Sequence, residues 1–77
     1  MNRYSIYDSN KGIFEEDIII YAKNSSEAVK QYMKENNITG SIKRSASNYV
    51  RFKATKTKEV DGRIYRSGND VWYLYIA

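Results

Sequence analysis

Seventy-seven residues with no cysteine, histidine or proline, eight tyrosines and a formal charge of +4 leave a short functional menu. The length fits a single domain, 1–77, and the missing Cys and His exclude zinc fingers, thiol nucleophiles, disulfide frameworks and Ser-His-Asp triads. Apolar residues at 42% and charged residues at 29% describe a globular chain, not a disordered one.

Residues 3–7 alternate Tyr4 and Ile6 against Arg3 and Ser5, a strand pattern. The turn cluster Asp8-Ser9-Asn10-Lys11-Gly12 follows. Residues 13–21 then read as the second arm of a hairpin. This strand is apolar on both faces at its far end, which places it inside the sheet. Asn24-Ser25-Ser26-Glu27 is a helix start, with Asn24 as cap, Ser25 as rival cap and Glu27 reaching back. Ala28, Val29, Tyr32 and Met33 form its apolar stripe, while Lys30, Gln31, Lys34 and Glu35 face water. Asn36-Asn37 and Gly40 supply the stop.

A short strand over 42–47 and a turn at Ser47-Asn48 come next. Residues 49–58 alternate Val50, Phe52 and Ala54 against Arg51, Lys53 and Thr55. Asp61-Gly62 is a type I′ hairpin signal that would pair Val60 with Arg63 and Lys58 with Tyr65. A turn at Ser67-Gly68-Asn69-Asp70 is expected to lead into a last strand, 71–76. Unbroken alternation would put Lys56 and Lys58 on the Phe52 face. Either a bulge near Lys56 or a hairpin that leaves the core resolves this, and the scarcity of core residues over 55–66 favours a protruding hairpin.

The order β-β-α-β-β-(β)-β gives an α+β two-layer domain, with a mainly antiparallel four- to five-stranded sheet and one helix on one face. The helix side is assigned Tyr4, Ile6, Ile18, Ile20, Val50, Phe52, Trp72, Leu74 and Ile76. The other side receives Ile19, Tyr21, Arg51, Lys53, Tyr73 and Tyr75, with Tyr7 a further candidate. That face is aromatic and basic together, so either something binds there or the sheet curls over it.

Charge is segregated along the chain. Residues 43–66 hold eight basic residues against Glu59 and Asp61, whereas residues 1–40 hold five basic and six acidic ones. Rings that stack on bases, set among cations that meet phosphates, are the parts with which sheets bind single-stranded nucleic acid. Tyrosine also suits strands, and Lys and Arg protect open sheet edges, so the same residues have an ordinary structural use.

Other chemistries find less support. The carboxylates Glu15 and Asp17 share a face but have no third ligand nearby, so no metal site is expected. The four glycines are isolated, so no phosphate loop and no cofactor are expected. Histidine-free catalysis, as in ribosome-dependent toxin ribonucleases, could draw on Arg51, Lys53, Tyr73 and Tyr75, but the helix count does not suit that fold. A non-enzymatic protein is the expectation.

The leading expectation is a binding module for nucleic acid or a nucleic-acid-handling complex, acting through Arg51, Lys53, Lys56, Lys58, Arg63 and Arg66, with Tyr73, Tyr75 and Tyr21 as ring contacts. The alternative is a protein-binding inhibitor or adaptor of a phage or mobile element, of the size of anti-CRISPR proteins, using the same Tyr-rich face as a hot spot. The abundance of Ile, Lys, Asn and Tyr, all with A/T-rich codons, fits such elements in low-GC bacteria. The first residues lack the apolar stretch of a signal peptide, and the longest apolar run, 18–22, is far short of a membrane span. A cytoplasmic protein without membrane contact is expected. The apolar last strand pairs within the domain or presents an edge for strand addition, to a second copy as a homodimer or to a partner.

Overall fold

The computed structural model describes residues 1–11, 18–44 and 49–76. Five strands and one helix follow in the order β1 (Asn2–Asp8), β2 (Ile18–Ala22), α1 (Ser25–Glu35), β3 (Ser41–Lys43), β4 (Phe52–Val60) and β5 (Arg63–Tyr75). The strands form one curled antiparallel sheet, ordered β2-β1-β4-β5-β3. The helix packs against β1, β2 and β4, which makes this the expected α+β fold. Among the described residues no helix is long and apolar enough to cross a membrane.

Alternation in β1, β2 and β4 turns Tyr4, Ile6, Ile20, Ala22, Phe52 and Ala54 toward the helix, where they bury with Ala28, Val29, Tyr32, Met33 and Trp72. Phe52 and the Tyr32 ring meet edge to face, with centroids 5.7 Å apart. Asn24 caps the helix by accepting the Glu27 N–H at 2.9 Å. Ser25 instead donates to the Asp70 carboxylate across the domain. At the other end Asn37 takes the left-handed conformation, φ 56°, and the Ile38 N–H closes back on the Met33 carbonyl.

Several sequence expectations change. Ile76 lies past β5 and is 76% exposed, and half-buried Val50 precedes β4, so neither belongs to the core cluster. Phe52, not residue 49, opens β4. β3 spans only 41–43, and its expected continuation over 45–47 and the turn at Ser47-Asn48 fall outside the described residues. So do Gly12, the start of the 13–21 strand and the Glu15-Glu16-Asp17 triplet.

The largest correction concerns Ser67-Gly68-Asn69-Asp70, which is not a turn. β5 runs through it without a break. Thr57 pairs with Arg66 and Thr55 with Asn69, so Ser67 and Gly68 together oppose the single residue Lys56. This is a β-bulge, with Gly68 at φ 68°. A left-handed glycine can kink a strand as readily as it can end one. The Asp61-Gly62 hairpin forms as expected, with both residues at positive φ and with Val60↔Arg63 and Lys58↔Tyr65 as pairs.

Candidate functional site

Beyond Thr57, the last β4 residue paired with β1, the β4–β5 hairpin leaves the body of the domain. Residues 58–69 are all exposed, and the molecule measures 44 × 26 × 23 Å. The protruding hairpin is therefore an arm. Register divides its side chains: Lys58, Val60, Arg63 and Tyr65 share one face with Lys56 at the base, and Glu59, Ile64 and Arg66 share the other with Thr57. The first face carries three cations and no carboxylate. Among the described residues, no third strand flanks the arm over 58–60 or 63–69.

The sheet face away from the helix is a second basic-aromatic surface. Lys53 is exposed on β4 and sets its ammonium 5.5 Å from the Tyr7 ring centroid. Lys43 does the same over Tyr75 at 4.9 Å, and pairs across β3–β5 with Tyr73. Tyr7, Tyr73 and Tyr75 are half-buried. Curling closes part of this face: Ser5 and Thr57 are buried on it, and Arg3 Nη1 donates to Thr57 Oγ1 at 2.7 Å.

The nine residues expected to act together therefore divide. Lys53, Tyr73 and Tyr75 share the sheet face, while Lys58, Arg63 and Arg66 lie on the arm and Lys56 at its base opposite Tyr4; Lys56, Lys58 and Arg63 have the opposite parity to Lys53. Tyr21, 58% exposed, stands at the far edge on β2 and lines an open groove with Lys23, Lys30 and Lys34.

Arg51 leaves the expected face altogether. Its Nε donates to Asp8 Oδ1 at 2.9 Å, and its guanidinium lies over the Phe52 ring at 5.0 Å. The side chains of this pair are only 14% and 2% exposed. Asp8 also accepts from the Tyr32 hydroxyl at 2.8 Å and the Asn10 N–H at 3.0 Å. Burial by itself would raise the Asp8 pKa. The Arg51 hydrogen bond, the Asn10 and Tyr32 donors and the Arg51 charge outweigh it and hold the carboxyl below its ordinary value. Arg51 is thus a structural partner of the core. Arg44 makes a more exposed pair, 3.3 Å from Asp70, and lies 5.2 Å over the Trp72 ring.

Sequence reasoning overlooked Lys43 as a site residue. Its signal was present, since Lys43 alternates with Ile42 as Tyr73 alternates with Leu74, but it needed the β3–β5 register. The lysine groove beside Tyr21 joins a strand edge to a helix, so no single periodicity reveals it. Among the described residues no group of three or more acidic side chains could hold a metal ion. Comparison with known protein families, curated proteins and solved structures finds no match for this chain.

Proposed function

We propose that this protein is a non-enzymatic nucleic-acid-binding module, working in the cytoplasm and without a cofactor. The observation that carries the reading is the arm, whose exposed 58–69 stretch carries Lys58, Arg63 and Arg66, with exposed Lys56 at its base opposite Tyr4 of β1. Asp8 and Asp70 are engaged by Arg51 and Arg44, while the arm itself carries Glu59 and Asp61 beside its cations. Lys43 and Lys53 extend the basic surface onto the sheet. Phosphate neutralisation releases condensed counterions, so affinity falls with added salt.

If Lys56, Lys58, Arg63 and Arg66 each neutralise one phosphate, affinity for duplex drops about 150-fold between 50 and 200 mM salt. Fluorescence anisotropy with a labelled oligonucleotide measures this. Absence of binding at low salt, or binding indifferent to salt, refutes the reading. The exposed apolar residues near the arm tip, Val60, Ile64 and Tyr65, favour a second reading as a protein-binding inhibitor or adaptor of a phage or mobile element. A purified nucleic-acid-handling partner bound in the presence of nuclease, and released by Tyr65→Ala, would support it.

A further inference from the structure

We infer that the groove between β2 and α1 binds an extended acidic peptide, which adds to the sheet as a further strand along the open edge of β2. This site is separate from the arm and independent of the nucleic-acid reading.

The two edges of the sheet are unlike. β3 forms one of them with only three residues, among them exposed Lys43. β2 forms the other with Ile18-Ile19-Ile20-Tyr21-Ala22, which is of ordinary strand length and carries no charge and no proline. Short length, lysine and proline are the devices that keep an open edge from pairing, so β3 is guarded and β2 is not. Among the described residues β2 pairs with β1 alone, which leaves alternate backbone N–H and C=O groups facing outward.

The cations stand beside the path of an added strand. Tyr21 and Lys23 line the groove from the sheet, and Glu27, Lys30, Gln31 and Lys34, one face of the helix, line it from above. Three ammonium groups thus meet one carboxylate, and Glu27 already sits in the first helical turn, where the dipole favours its charge. Lys23, Lys30 and Lys34 are exposed, and among the described residues none of them makes an ion pair. Lys30 and Lys34 lie one turn apart, a like-charge spacing that a bound anion relieves. Because these two lysines project from the helix and not from β2, they leave the strand's backbone open to pairing.

The same chemistry selects the occupant. Outward N–H and C=O groups in alternation match another peptide backbone, and carboxylates on its helix-side positions reach the lysines. A nucleic-acid strand offers phosphates, but Tyr21 is the one ring among the described groove residues, where base stacking uses a succession of rings. A second copy pairing edge to edge would bring two sets of these lysines together, and like charge opposes that.

The probe is a capped, fluorescein-labelled peptide, Val-Glu-Val-Glu-Val-Glu-Val, whose carboxylates fall on one face when it is extended. Anisotropy should show saturable binding, and Lys30→Glu/Lys34→Glu should weaken it at least about tenfold. Both lysines are exposed, and circular dichroism checks that the variant keeps its fold. Lys58→Glu/Arg63→Glu on the arm should leave the affinity within about twofold. The same peptide N-methylated at every residue keeps its charge but loses its backbone donors, and should bind at least about tenfold more weakly. Bound peptide should slow hydrogen exchange at the amides of Ile18–Ala22. No binding, equal binding of the N-methylated peptide, indifference to the lysine variant, or unchanged exchange overturns the inference. Tighter binding of oligothymidylate of matched charge, lost in the same lysine variant, overturns it in favour of a nucleic-acid strand. A dimer in sedimentation equilibrium that the peptide does not dissociate overturns it in favour of a second copy. None of these results bears on the arm, whose reading stands or falls on its own oligonucleotide titration.

Discussion

Replacing Asp8 with asparagine tests whether the Asp8–Arg51–Tyr32 cluster holds the end of the sheet to the helix. The substitution keeps the volume but removes the charge. It leaves a guanidinium whose side chain is 14% exposed without its counter-ion, and a buried tyrosine hydroxyl with a weaker acceptor. Removing one partner of a buried ion pair costs about 3–5 kcal/mol. The residual exposure of Arg51 lets some water reach it, so Asp8→Asn is expected at the lower end, about 3 kcal/mol. Domains of this size have a total stability of about 4–12 kcal/mol. The loss corresponds to a fall in Tm of about 12–24 °C. Urea denaturation followed by circular dichroism gives the value, with an unchanged slope as evidence that the transition remains two-state. The double variant Asp8→Asn/Arg51→Met should be more stable than Asp8→Asn alone, because no lone charge then remains. A loss under about 1 kcal/mol, or a double variant at the sum of the single ones, refutes the reasoning.

Two further outcomes follow from the same physics. Asp8 titrates lower when folded than when unfolded, so its contribution is fully present above the ordinary carboxylate value of 3.8 and drains away as pH falls toward the folded value. Urea midpoints measured from about pH 5 to pH 2 should fall more steeply for the wild type than for Asp8→Asn, and parallel curves would contradict this. At Gly40, φ is 129° and a Cβ would sit 2.6 Å from the Tyr75 carbonyl oxygen, whereas at Gly68 the same atom meets nothing within 4 Å. Gly40→Ala should therefore cost about 2 kcal/mol or more and Gly68→Ala about 1 kcal/mol, and thermal melts giving the reverse order would refute the close-approach account.

What the sequence made legible was local. Asp61-Gly62 specified its own turn and pairs because two left-handed residues between alternating strands admit little else. Asn24 and the 28–33 stripe likewise defined a helix and its buried side. Two features resisted for physical reasons. Arg51 shares parity with Lys53, yet it stands one residue outside β4, and its acceptor lies 43 positions away. No pattern within ten residues connects them. Gly68 carried the composition of a turn, and whether a left-handed glycine reverses a chain or only kinks it depends on the neighbouring strand, here Thr55 to Thr57 of β4. The protruding arm was foreseeable, because Lys56 and Lys58 could not continue a buried face. The division of its cations between two faces became visible only with the register.

The seam between β1 and β4 also governs how this chain reaches its native state. It joins Asp8 to Phe52 at the centre of the sheet, whereas β1 meets β2 and β4 meets β5 as neighbours in sequence. Closing a loop of about 44 residues at the seam, against about 12 for Ile6 with Ile18, costs about 1.1 kcal/mol more in chain entropy. The two hairpins can thus form early, and their union is the slow event. Substitutions that weaken the seam at Ile6 or Ala54 should retard folding. Changes on the arm, whose outer half makes no contact across that seam, should leave the folding rate almost untouched.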